Sequence, residues 1–188
     1  MKFRIIHITF IFVLMLSCNE SSNSIVEHAD SRLRLANGVL LYDESPFSGT
    51  LISKYTSKQL KSEIQYADGK KNGLEKKWAQ NGNVIEMRFY TNGFKSGIHK
   101  ASWADGTPKF EYHFNNLGEF HGTVKEWTQS GLLYMSFNYT NGKEAGGQRL
   151  WKLDGSIKAN YEVVNGERFG LIGLKKCYTV TLNEDEIK

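Results

Sequence analysis

The chain is predicted to be all-β, an elongated antiparallel sheet of stacked β-hairpin repeats of ~24 residues. Three observations predict this. Gly49, Gly73, Gly97, Gly122, Gly146 and Gly170 stand 24, 24, 25, 24 and 24 residues apart. Five or six residues after each of the first five comes a large aromatic, Tyr55, Trp78, Trp103, Trp127 and Trp151, and these include all four tryptophans of the chain. The segments between alternate in polarity: Phe110, Tyr112 and Phe114 with Lys109, Glu111 and His113, and Leu133, Met135, Phe137 and Tyr139 with Tyr134, Ser136 and Asn138. A period of two is that of strands with one buried face. No stretch shows the 3.6-residue period of a helix, and glycine recurs too often for helix interiors.

The elements follow in order. Residues 1–17 read as a signal peptide: Lys2 and Arg4 precede an apolar run from Ile5 to Leu16 that is too short to span a bilayer. "LMLSC" resembles a bacterial lipoprotein box, which implies cleavage before Cys18 and a lipid on its sulfur; the alternative is an ordinary secretory signal followed by a free cysteine. Residues 18–30, beginning "CNESSNS", are expected to form a polar tether. Residues 31–46 read as a capping hairpin around Asn37-Gly38, and residues 47–171 as the repeats. Residues 172–188 read as a closing strand, Cys177 to Leu182, with an acidic tail. Such ends shield sheet edges from pairing with other chains.

Within a repeat, Asn81-Gly82, Asp105-Gly106, Ser130-Gly131 and Asp154-Gly155 are expected to be the tight hairpin turns. Asn92-Gly93 to Gly97 and Asn141-Gly142 to Gly146 are expected to be longer loops to the next hairpin. Tyr55, Trp78, Trp103, Trp127 and Trp151 then form one ladder of rings roughly 10 Å apart, carrying most of the stability. Repeat two breaks the alternation, because Glu86 and Arg88 occupy the inward slots; a bulge turning Ile85, Met87 and Phe89 to the core is the expected remedy.

"YADGKKNGLEKKWAQNG" (Tyr66 to Gly82) and "YTNGKEAGGQRLWKLDG" (Tyr139 to Gly155) resemble the MORN-repeat family, and more closely its bacterial variant form. The resemblance spans about Phe47 to Leu171. It implies stacked antiparallel hairpins and no catalytic residues. Some bacterial members carry an antitoxin label and others are repeat lipoproteins.

Candidate chemistry is sparse. His99, His113 and His121 cluster in sequence, and pairing across Asp105-Gly106 is expected to set His99 beside His113 on one face, either as exposed strand histidines or as part of a zinc or copper site. No metal, cofactor or catalytic residue is assigned. Cys177 is either a small buried residue or a free thiol. Lys76, Lys100, Lys125 and Arg149 each stand three residues after a marker glycine. They form either a stripe that meets an anionic partner or solvated positions that discourage aggregation. The net charge is +4, and loss of residues 1–17 removes Lys2 and Arg4 and no acid, leaving +2, a weak basis for binding nucleic acid. The expected function is a non-enzymatic, membrane-anchored lipoprotein scaffold of the bacterial envelope that binds a protein or an anionic envelope polymer. The alternatives are an antitoxin-like protective partner of a toxin and an accessory protein for envelope metal or redox chemistry.

Overall fold

The computed structural model describes residues 24–173. The expectations for residues 1–17, Cys18 and the closing strand from Cys177 lie outside them. The described chain is all strand and turn: β1 (Ile25–Glu27), β2 (Leu33–Ala36), β3 (Val39–Tyr42), β4 (Ser45–Pro46), β5 (Gly49–Lys54), β6 (Leu60–Ala67), β7 (Lys70–Trp78), β8 (Val84–Thr91), β9 (Phe94–Ser102), β10 (Pro108–Phe114), β11 (Gly122–Trp127), β12 (Leu133–Thr140), β13 (Lys143–Glu144), β14 (Gly146–Trp151), β15 (Ile157–Val164) and β16 (Glu167–Leu171). From β5 to β16 each strand pairs antiparallel with the next in one long sheet, β13 being a short offshoot beside β12. Substantial contacts between elements run between hydrogen-bonded neighbours, as in a solenoid of hairpins.

Two turn types alternate, and their roles are the reverse of the expectation. Asp68-Gly69, Asn92-Gly93, Asn141-Gly142 and Asn165-Gly166 are the two-residue turns. Both residues of each pair have positive φ, between 48° and 86°. Asn and Asp tolerate this left-handed region and Gly enters it freely, so the pair matches the twist of the strands it joins. At Asn81-Gly82 only the glycine has positive φ. There the Gly82 N–H donates to the Ala79 carbonyl and the Ala79 N–H to the Asn83 carbonyl, a wider connection. At Asn115–Gly118 the Gly118 N–H donates to the Asn115 carbonyl and the Asn115 N–H to the Glu119 carbonyl, a wide turn of the same kind.

The amino end departs from the expected tether. Ile25–Glu27 is a strand that pairs parallel with β5, Val26 opposite Leu51, and so covers the first edge of the long sheet. Val26 is apolar and buried, and that burial is what draws the segment into the fold. The hairpin of β2 and β3 turns at Asn37-Gly38 and forms a separate sheet with β4. It lies over the first repeats: Leu33, Leu40 and Tyr42 pack on a core of Val26, Phe47 and Leu51 with Ile64 and Tyr66. Gly69 is the seam, its N–H donating to the Phe47 carbonyl and its carbonyl accepting from Leu40 N–H, both at 2.8 Å.

The expected tryptophan ladder does not form. The turn-opening residues are Tyr55, Ala79, Trp103, Thr128 and Lys152, each accepting and donating the same turn hydrogen bonds. Trp78, Trp127 and Trp151 stand one place earlier, paired with Val84, Leu133 and Ile157, in the column of Lys54 and Ser102. The five aromatics therefore occupy two adjacent columns. All are half-buried, and none of the four indoles packs on another aromatic ring among the described residues. Ring contacts instead run along the inner face near the strand ends, Tyr90 on His99 (5.5 Å), His99 on Phe114 (4.6 Å), Phe114 on Phe120 (4.8 Å) and Phe120 on Tyr139 (5.2 Å), and Phe110 stacks on Tyr112 within β10 (4.4 Å).

Two outcomes test this packing. In urea unfolding, Phe114→Ala is expected to cost about 3–5 kcal/mol and the half-buried Trp127→Ala roughly half as much; equal costs would restore the tryptophans to the centre of the fold. A Cβ at Gly69 would lie 2.3 Å from Val39 Cγ1 and 2.7 Å from the Leu40 carbonyl, whereas one at Gly155 meets nothing. Gly69→Ala is therefore expected to detach the small sheet and lower the midpoint sharply, while Gly155→Ala pays only its backbone strain, of order 1–3 kcal/mol.

Candidate functional site

The residue two places after each of the first five marker glycines is the most buried of its strand: Leu51, Glu75, His99, Val124 and Gln148. These five share one face of the sheet, called inner here, with Tyr66, Tyr90, Phe114, Phe137 and Tyr161. Three of the five are polar, and each has a reason. At Gln148 the ladder between β12 and its next strand is interrupted beside Asn138. The Gln148 amide fills the gap, donating to the Asn138 carbonyl at 2.8 Å and accepting its N–H at 3.0 Å. At His99 the register of β8 and β9 shifts between Met87 and Phe89. His99 Nε2 donates to the Phe89 carbonyl at 2.7 Å, and because a carbonyl only accepts, the proton sits on Nε2. His99 Nδ1 has no partner among the described residues. Burial, with Arg88 and Lys95 nearby, holds the His99 pKa below its ordinary value.

His99 is thus fully buried and not an exposed strand histidine. His113 pairs with Ile98 on the opposite face, its Nε2 against Glu111 at 2.9 Å. His121 lies against Asn141 at 3.1 Å. The expected neighbourhood of His99 and His113 on one face is overturned, because adjacent residues of a strand point to opposite sides. No group of three metal-ligating side chains occurs among the described residues.

In repeat two the inner face carries charge. Glu86 and Arg88 do point inward, paired with Lys77 and Glu75 across β7, while Phe89 is exposed on the other face. The expected bulge turning Ile85, Met87 and Phe89 to the core is not needed, because the charges satisfy one another. Lys71 reaches Glu75 at 2.5 Å, Lys77 reaches Glu86 at 2.9 Å and Arg88 reaches Glu86 at 2.5 Å. Burial works against the charge of Glu86, but the hydrogen bonds from Lys77 and Arg88 outweigh it and hold its carboxyl below the usual range.

The basic stripe is one cross-strand row on the outer face. Glu63 lies opposite Lys76, then Met87, Lys100, Glu111, Lys125, Ser136, Arg149 and Asn160 follow, each paired to the next. Lys100 is bridged to Glu111 at 3.0 Å, whereas Lys76, Lys125 and Arg149 form no ion pair among the described residues.

Where hairpins open at the wide turns, grooves lie between them. One, of about 310 Å³, is lined by Trp103, Lys109, Tyr112, Glu126, Trp127 and Tyr134 among others. Glu126 accepts from Tyr112 Oη at 2.5 Å and from the Tyr134 hydroxyl. Burial and that hydrogen bond push the Tyr112 pKa up, and the hydrogen bond and burial push Tyr134 up to about 12. Sequence reasoning missed this groove and the buried column alike. The signal for the column was present, since its members keep the marker spacing, but its chemistry changes from Leu to Glu to His. No family model matches this chain, and no curated protein matches it.

The buried histidine makes stability depend on pH. Because its pKa is lower in the folded chain than the ordinary 6.5, its contribution is fully present above 6.5 and is lost as the pH falls through the folded value. His99→Gln, which keeps a donor for the Phe89 carbonyl as Gln148 does for Asn138, is expected to abolish that acid loss. His99→Leu is expected to cost about 1–3 kcal/mol at neutral pH by leaving the carbonyl unpaired. Urea midpoints across the acid range check both.

Proposed function

We propose that this chain is a non-enzymatic, lipid-anchored scaffold of the bacterial envelope, built of MORN-like repeats, that holds a protein or an anionic envelope polymer along its outer face. The observation that carries the reading is the single outer row in which Lys76, Lys100, Lys125 and Arg149 recur at every second strand, roughly 10 Å apart. A rigid, evenly spaced line of cations suits a partner with regularly spaced negative groups, since potentials add along the line. Glu63 and Glu111 temper its amino-terminal half, so attraction is strongest around Lys125 and Arg149. The lipoprotein-like start at Cys18 supports placement at a membrane surface. The buried column supports a structural and not a catalytic role for Glu75, His99 and Gln148, whose polar atoms are spent on the ion-pair network and on bulged backbone.

Crosslinking in envelope fractions followed by capture of the chain tests the reading. Wild type is expected to recover a specific partner. Replacing Lys76, Lys100, Lys125 and Arg149 together by Gln is expected to lose it with the urea midpoint little changed, since the one ion pair lost is exposed. Undiminished recovery would leave the row with a role in solubility alone.

A further inference from the structure

The groove between Trp103 and Trp127 has a counterpart two repeats earlier. A groove of about 410 Å³ is lined by Tyr55, Lys61, Ser62, Lys77 and Trp78 among others. The correspondence runs position by position. Tyr55 and Trp103 both open a wide turn, their N–H groups donating to Gln59 and Thr107. Trp78 and Trp127 both close the following strand, paired with Val84 and Leu133. Lys61 and Lys109 both lie at the register shift beside them and set their ammonium over the first ring, Lys61 at 5.7 Å from the Tyr55 centroid and Lys109 at 4.5 Å from that of Trp103. The hairpin between lacks the arrangement, having Ala79 and Ser102 in those columns. Two hairpins, with one between them, thus share one motif, two aromatic walls with a lysine at the rim.

We propose that these two grooves bind sugar units a few residues apart on one neutral saccharide chain. The inference rests on the scaffold reading and names a ligand for its inner face. The walls are aromatic, with apolar faces on which the C–H faces of a pyranose can lie. The rim supplies both kinds of polar partner that a ring of hydroxyls needs. Glu126 accepts and Lys109 donates. In the first groove Ser53 and Ser62 hydroxyls, 2.6 Å apart, add groups that do both. Their volumes fall at the small end of ligand sites, roughly 300–1,000 Å³, which suits one or two sugar rings each.

Other ligands fit less well. An organic ammonium suits aromatic walls and a carboxylate, but it meets a lysine ammonium already over the ring. An extended peptide gains affinity by adding to a free sheet edge, and both grooves lie within the sheet, where every strand is paired on both sides. The two grooves are four strands apart, roughly 19 Å along the sheet. One chain spanning both gains from effective concentration, so affinity rises with ligand length.

Tryptophan fluorescence and calorimetry of the full chain test this with neutral oligomers of glucose, N-acetylglucosamine and galactose, from two units to eight, and with tetramethylammonium chloride. At least one saccharide series is expected to bind, and its longest member about tenfold or more tighter than its shortest. Trp127→Ala, which removes one wall of the second groove only, is expected to bring the longest member down to about the affinity of the shortest. Glu126→Gln and Lys109→Met, which remove no ring, are each expected to weaken binding about tenfold, Lys109→Met with an unchanged urea midpoint. No binding by any series, tighter binding of tetramethylammonium, or full binding in both rim variants overturns the proposal. If no saccharide binds while envelope crosslinking still recovers a partner, the grooves are excluded and the scaffold stands. If crosslinking recovers nothing, the scaffold reading fails whatever the fluorescence shows.

Discussion

The two-residue turn is the constraint on which the rest of this molecule depends. An Asp or Asn followed by Gly, both with positive φ, reverses the chain in the least possible length and with a twist the strands can follow. The marker glycine comes four residues after the turn glycine, and there the register slips, as between Met87 and Phe89. A slip in a ladder leaves backbone groups looking for partners, and in a buried place they must find them. The side chain two residues past the glycine points at that place. This is why His99 and Gln148 are buried although polar, and why each spends a side-chain N–H on a backbone carbonyl.

Much of the fold could be read from the chain, because glycine spacing and polarity alternation are local signals. The inward set of Phe110, Tyr112 and Phe114 pairs with Ala101, His99 and Gly97 as alternation requires. The errors arose where two local rules competed. Asn81-Gly82 and Asn92-Gly93 are the same dipeptide in very different turns, and only the register of the flanking strands separates them. Glu86 and Arg88 looked misplaced because hydrophobicity was used as the sole sign of an inward position. Their partners, Lys77 and Glu75, stand about ten residues earlier, and only pairing brings them together. Ile25–Glu27 was lost in a polar stretch, since three residues are too few to show a period, and its partner β5 is more than twenty residues away.

The aromatic residues divide the labour between the two ends of each strand. Strand-end rings at Tyr90, Phe114 and Tyr139 meet across neighbouring hairpins and close the inner face, with His99 and Phe120 set between them. The indoles at the opposite end are only half-covered and are divided between two columns, Trp103 in one and Trp78, Trp127 and Trp151 in the other. Counting residues from a glycine placed them in one slot, but a one-residue difference in a strand changes the column a side chain occupies. The candidate grooves were illegible for the same reason: they join residues from successive hairpins whose equivalence appears only once the turns are aligned by their hydrogen bonds.

The parallel pairing of β1 sets an order of assembly. From β5 onward every hairpin closes over a few residues and needs nothing distant, so zipping can begin anywhere along the array and spread. The strand Ile25–Glu27 alone must wait, because its place beside β5 is separated from it in the chain by the whole three-stranded sheet. It is the last latch to fall, and the first to lift when the amino end is pulled.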